Sequence, residues 1–362
     1  MNRHIKLQFC LLLCSLNVFI FGCATATPRA AEPKPKQSPI FYPSAPDEPR
    51  LQFLTSFSSS DDFEEPPSTF RKFIIGDEKK AKPIVKPYGV AVHNNKIYIC
   101  DTVRNGIDIL DFETRKFKYF RSSNDTQLID PINLNFDDDG NMYVADSRRG
   151  QVIIFDQAGN YMGAIGKNSE FKPTDVLIKN DQVFICDLKT HSVKVFRLKD
   201  KQYVFSIPLA DAREEAKLFS PTNLAGDNEG NIYVSDTGAF RIQKYNAKGE
   251  FLASIGSHGD APGQFARPKG IALDREGRIY AVDAAFENAQ IFDKDGKLLL
   301  FFAEPGGSDA SLVLPADVAV DYTLKDYFAP LVSPDFEVEY LVLVTSQYGD
   351  RRLSIFGFGH KK

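Results

Sequence analysis

Apolar residues along this chain recur in short alternating runs, each closed by an aspartate. The run Ile232-Tyr233-Val234-Ser235-Asp236 has counterparts in Ile97-Tyr98-Ile99-Cys100-Asp101, Met142-Tyr143-Val144-Ala145-Asp146, Val183-Phe184-Ile185-Cys186-Asp187 and Ile279-Tyr280-Ala281-Val282-Asp283. Runs this short, rich in β-branched and aromatic residues, predict strands. A polar pair precedes each one: Asn94-Asn95, Asp139-Gly140, Asn180-Asp181, Glu229-Gly230 and Glu276-Gly277. Gly and Asn accept the positive φ that tight hairpins need, so each pair predicts a turn between two strands. The strand before the turn is led by a proline, and two further strands follow the aspartate, as at 241–245 and 251–255.

The leading prolines are Pro87, Pro131, Pro173, Pro221, Pro268 and Pro315, separated by 44, 42, 48, 47 and 47 residues. A four-strand unit repeated at that interval predicts the blades of a propeller. The expected fold is all-β, with six blades of four antiparallel strands. The sixth copy departs from the others. An insertion over 322–339 replaces its turn, its second strand (340–345) lacks the aspartate, and its third (353–358) has no successor. The missing strand is found upstream, where Leu51-Gln52-Phe53-Leu54-Thr55-Ser56-Phe57 carries the fourth-strand pattern. Pairing of 51–57 with 353–358 closes the ring and removes an exposed sheet edge. Residues 51–358 then form one domain, with 359–362 as a tail. The stretch 210–219 predicts a short helix between blades three and four. The aromatic insertion is read as packing on the ring, with a cover over one channel mouth or a partner-docking segment as alternatives.

The N-terminus adds a cellular address. Arg3 and Lys6 precede an apolar run that ends at Phe21-Gly22-Cys23, too short for a spanning helix and shaped like a secretory signal over residues 1–22. Its end resembles the bacterial lipoprotein cleavage motif, which implies lipidation of Cys23 and, with Ala24 following, an outer-membrane lipoprotein facing the periplasm or the cell surface. Residues 23–50 contain Pro28, Pro33, Pro35, Pro39, Pro43, Pro46 and Pro49 and read as an extended tether.

Charge narrows the function. The 362 residues carry a net charge of −4, and removal of the signal leaves 42 basic residues against 48 acidic. That balance argues against a nucleic-acid partner. Cys100 and Cys186 occupy equivalent places in non-adjacent repeats, too far apart for a disulfide, and read as small core residues.

The string from Ile255-Gly256-Ser257 through Gly263-Gln264-Phe265 and Pro268-Lys269-Gly270-Ile271-Ala272-Leu273 to Ala281-Val282-Asp283 resembles an NHL repeat. The resemblance spans about 85–300 closely and 315–358 loosely. It implies a six-bladed propeller of the kind found in bacterial lipoproteins. It decides little about activity, because function lies in sites grafted on a fold.

Four sets of residues are candidates. The aspartates Asp101, Asp146, Asp187, Asp236 and Asp283 repeat too regularly for catalysis and read as acceptors for backbone N–H groups. Two residues after each leading proline come Gly89, Asn133, Asp175, Asn223, Gly270 and Asp317, expected at one mouth of the central channel. Asn133, Asp175, Asn223 and Asp317 offer oxygen to a hard cation, and the likeness to lactonase-type propellers implies calcium there; the alternative is a junction without metal. His191 stands where NHL-type lyases place a zinc ligand, but Asn105, Gly150, Phe240 and Glu287 fill the matching positions, short of the three ligands an open zinc site needs. The loops after the aspartates carry Arg104, Arg148, Arg149, Lys189, His191, Arg241, Phe286 and Tyr348, which read as a rim for a ligand or partner. The leading expectation is a lipid-anchored, non-catalytic binding or assembly module with an envelope protein as partner. The alternative is a calcium-dependent hydrolase or lyase working at the channel mouth.

Overall fold

The computed structural model describes residues 38–65, 80–122, 126–167 and 170–362. The signal segment, Cys23 and the start of the tether lie outside these residues. Six antiparallel sheets stand in a ring, their innermost strands at Pro87–His93, Pro131–Phe136, Pro173–Lys179, Pro221–Gly226, Pro268–Leu273 and Pro315–Asp321. Consecutive inner strands touch in cyclic order, the sixth returning to the first. Each sheet is flanked by two others, so its second strand is buried on both faces; all five residues of Ile232–Asp236 are buried. Between the second and third blades, Tyr143, Val152 and Ile154 pack with Val176, Val183 and Ile185. Burial of such side chains contributes about 1.5–3 kcal/mol each. Cys100 and Cys186 are free thiols in these cores.

Two hairpin designs join the inner two strands. In blades one and three the turn is two residues long, and Asn94, Asn95, Asn180 and Asp181 all take positive φ. Blades two, four and five use a longer loop opened by Asp137, Asp227 or Asp274. Each of these carboxylates accepts the backbone N–H four residues on, at 2.8–2.9 Å.

The ring is closed as the sequence predicts. Leu51–Phe57 pairs antiparallel with Leu353–Lys361, and Leu51 lies opposite Phe358. The closing blade is larger than expected. Phe41–Tyr42 adds a fifth strand outside Leu51–Phe57, so the compact unit begins at Pro39 rather than at Leu51. Apolar contact explains the difference, since the Tyr42 ring packs on Phe302 and Phe356. The second and third strands of this blade run long, over Phe336–Ser346 and Leu353–Lys361.

The insertion forms a one-turn helix, Lys325–Phe328, and a 3-10 turn, Ala329–Leu331. Phe328 is buried against Phe57 and Phe112, and Gln52 bonds the Leu331 carbonyl and the Ser333 amide. The segment packs on the ring. The expected helix over 210–219 is reduced to a 3-10 turn, Glu214–Ala216. The carbonyls that would continue it are taken by side chains of blade four: Tyr245 donates to Ala216, and Arg241 and Gln243 to Lys217.

Candidate functional site

A register slip marks the start of every innermost strand, always just after the leading proline. Bulges bend a strand and re-aim its side chains. Here they bring Asn133, Asp175, Asn223 and Asp317 together on the ring axis, all nearly or fully buried. Asp317 is the hub. Its carboxylate accepts from Asn133 Nδ2 at 3.2 Å, from Asn223 Nδ2 at 3.3 Å and from the Val90 amide at 3.0 Å. Those partners belong to blades two, four and one, so a single side chain of blade six crosses the axis. Asp175 accepts from the Val176 and Leu224 amides, each at 2.7 Å.

Gly89 and Gly270 make this reach possible. A Cβ on Gly89 would lie 2.1 Å from Asn133 Oδ1, and one on Gly270 would lie 2.3 Å from the Asp317 Cα. Two positions that contribute no oxygen to the set therefore contribute its space.

Burial pushes Asp317 up to about 7. Burial, with the Asp317 charge added, holds Asp175 well above the usual carboxylate range. Two carboxyls in one dry site resist double ionisation.

Asn133, Asp175 and Asp317 line the inner end of a cavity of about 530 Å³. Its wall carries Ala91, Asn135, Leu177, Ala225, Ala272 and Ala319, and it opens past His93 and Asp138 at the hairpin ends of the strands. On the proline side, Lys269 of blade five reaches over the Tyr88 ring of blade one, its Nζ 6.0 Å from the ring centroid. Tyr88 is pinned from below, its carbonyl accepting from Thr345 Oγ1 at 2.5 Å. The phenol is pushed up in pKa by burial and by Asp317 and Asp175. The four oxygen-bearing residues thus lie inside the channel, between Tyr88 and the cavity, and not at its mouth. The long side chains one residue after Pro87 and Pro268 account for the difference.

Two carboxylates and two amides form a donor set that suits a hard cation such as calcium. Asn223 Oδ1 is buried without a hydrogen-bond partner, an acceptor of the type such an ion uses. Among the described residues, no three of His, Cys, Asp or Glu gather as a metal cluster, so the set depends on its amides. His191 is exposed, with Nδ1 against the Phe219 carbonyl.

The strand-closing aspartates act as clips. Asp283 accepts from the Ala266, Arg267, Ala285 and Phe286 amides at 2.8–3.1 Å. Asp101 does the same for Val85, Lys86, Val103 and Arg104. Each ties the loop entering its blade to the turn that follows the strand. In blade six Ser346 takes this place and accepts from the Val313 amide.

The expected rim is largely engaged within the protein. Arg104 donates to the Pro83 carbonyl and Asp108 and lies over Tyr119 at 4.0 Å. Arg149 donates to the Gln127 carbonyl, and Arg241 to those of Glu215 and Lys217. Lys189, His191 and Tyr348 are exposed and Phe286 is half-buried. All these loops lie on the proline face, opposite the cavity opening. Tyr88 and Lys269 escaped the sequence reading, although they are the aromatic and charged members of a series otherwise made of Ile132, Thr174, Thr222 and Ala316.

No protein-family model and no curated protein sequence matches the chain. Solved structures do match in fold. A gluconolactonase from Xanthomonas campestris superposes with a TM-score of 0.58 at 14% identity, over 90% of this chain and 99% of that one. Regucalcin, a calcium-binding protein from Agrobacterium tumefaciens, gives 0.53 at 14% identity, over 77% and 92%. Virginiamycin B lyase from Staphylococcus aureus gives 0.51 at 10% identity, over 75% and 84%. At these identities the likeness establishes the six-bladed propeller alone.

Proposed function

We propose that this protein is a cation-dependent hydrolase or lyase whose centre lies on the propeller axis. One observation carries the reading: Asp317 meets Asn133 and Asn223 across the ring, with Asp175, at the closed end of a cavity. The same fold serves a gluconolactonase, a calcium-binding regucalcin and a virginiamycin B lyase, which supports chemistry over a purely structural role.

Asp175 and Asp317, with the side-chain oxygens of Asn133 and Asn223, would hold a calcium-class ion. Such an ion supplies Lewis acidity toward a carbonyl oxygen and lowers the pKa of water. The Val90, Val176 and Leu224 amides fix the carboxylates in direction. The small side chains of the wall leave room for a substrate. In the cell, the reading places this domain as an NHL-type propeller lipoprotein, held at the outer membrane through Cys23.

A non-catalytic module for an envelope partner is the second reading. It is favoured by Val103, Phe219 and Tyr348, which expose apolar surface on the proline face.

Calorimetry of the chelator-treated full chain with calcium separates these readings. Stoichiometric binding lost in Asp317→Asn, together with turnover of a lactone or ester panel, supports the enzyme. Calcium binding without turnover moves the function to the module. No calcium binding removes the cation from the mechanism.

A further inference from the structure

The proline-side mouth of the channel carries a second feature that the cation reading does not use. Lys86, Lys172 and Arg267 each immediately precede a leading proline, in blades one, three and five. They therefore occupy alternate blades, spaced evenly around the mouth. Arg148 follows the clip aspartate of blade two on the same face. Lys269 sits deeper, half-buried over Tyr88. Among the described residues these five cations make no ion pair, and their side chains donate no hydrogen bond. Lys86 has only the Tyr348 ring, 5.6 Å away. The contrast with Arg104, Arg149 and Arg241, all bonded within the protein, is sharp.

One carboxylate answers them. Asp130 precedes Pro131, and Arg148, Lys86 and Lys172 all act on its charge. Asp130 is the one acid among the residues that precede the leading prolines; the clip aspartates of the same face are turned to backbone amides, as Asp283 is to those of Ala266 and Arg267, so the five cations keep no carboxylate partner of their own. Lys269 is the costly member. Burial, and the like charge of Arg267, push its amine down to about 8. A desolvated ammonium beside a guanidinium is unfavourable unless an anion joins it.

We infer that the proline-side mouth binds a small anion, a carboxylate or phosphate group, seated on Lys269 and Arg267 above Tyr88 and reached through Lys86, Arg148 and Lys172. The recessed amine sets the depth at which the anion rests, and the outer cations steer it inward. This site does not require the cation centre below it, because Tyr88 stands between them. Success or failure at one leaves the other open.

The test is isothermal titration calorimetry of the full chain in calcium-free, low-salt buffer, with inorganic phosphate and separately with succinate. Saturable binding of one anion per chain is expected. Lys269→Met should weaken it about tenfold or more, the loss of one charge-assisted bond, and Lys269→Arg should keep most of it. Lys86→Gln combined with Lys172→Gln should weaken it at low salt and much less at high salt. This surface pair keeps the test informative if Lys269→Met fails to fold. Phosphatidylglycerol vesicles that bind the protein and are displaced by free phosphate would assign the anion to a lipid headgroup at this same site. No saturable heat from either anion, or an unchanged affinity in Lys269→Met, would overturn the inference.

Discussion

Phe53 faces Phe356 across the seam of the ring, in register, with ring centroids 5.5 Å apart in edge-to-face contact. The two residues stand near opposite ends of the domain's sequence, so the pair joins the first large strand to the last. Phe356→Ala should lower unfolding free energy by about 3–5 kcal/mol. Deleting 51–57 should lower it further, since the strand Leu353–Lys361 would lose its partner along one edge. Urea denaturation followed by far-UV circular dichroism reads both, and an unchanged midpoint in the deletion would show that the seam does not hold the ring.

Gly270→Ala tests the space on the axis. The new methyl would meet the Asp317 Cα and Oδ1, so backbone must move. A loss of about 1–3 kcal/mol is expected from overpacking. Calcium affinity should fall in parallel, because the Asp317 carboxylate is displaced. A variant with full stability and full affinity would refute the packing described for Asp317.

Asp283→Ala removes one acceptor from four backbone amides. Each buried donor left unmet costs about 1–3 kcal/mol. The variant should therefore lose at least about 3 kcal/mol, while Asp283→Asn, which retains one carbonyl oxygen, should lose less. Chemical denaturation of the two variants gives the comparison.

Asp108 predicts a pH dependence. Burial raises its carboxyl to about 8, against the pull of Arg104 and with the push of Asp101. The folded chain therefore holds a proton that the unfolded chain releases near pH 4. Stability from this group is complete below about pH 4 and is lost as pH rises toward 8, with a slope approaching about 1.4 kcal/mol per pH unit. Asp108→Asn, which mimics the protonated form, should narrow the difference in stability between pH 5 and pH 8. Denaturation midpoints at the two values decide it; an equal difference in both proteins would exclude Asp108 as the source.

The blade count, the hairpins and the seam were legible because each has a local cause: alternating apolar runs, turn residues with positive φ, and a strand pattern displaced to the N-terminus. The four oxygen-bearing residues were legible as a set, since a repeat reveals which positions are equivalent. Their depth was not. It depends on Tyr88 and Lys269, from blades that are not neighbours in the ring, meeting across the channel. The bonding of the rim arginines within the protein was hidden for a related reason. An arginine in a polar loop looks solvated in sequence, while Arg104 and Arg241 turn back to carbonyls some twenty residues upstream. The fifth strand at Phe41–Tyr42 was hidden by prolines on either side, which mark a tether unless apolar rings find a surface to cover.

The seam has a consequence for biosynthesis. Leu51–Phe57 leaves the ribosome early, yet the strand it needs is among the last parts of the chain to be made. Through most of translation the nascent protein is an open arc with an orphan strand at its head. The order of synthesis therefore builds in a waiting period, during which that strand must be kept from pairing with neighbouring chains until the final residues arrive.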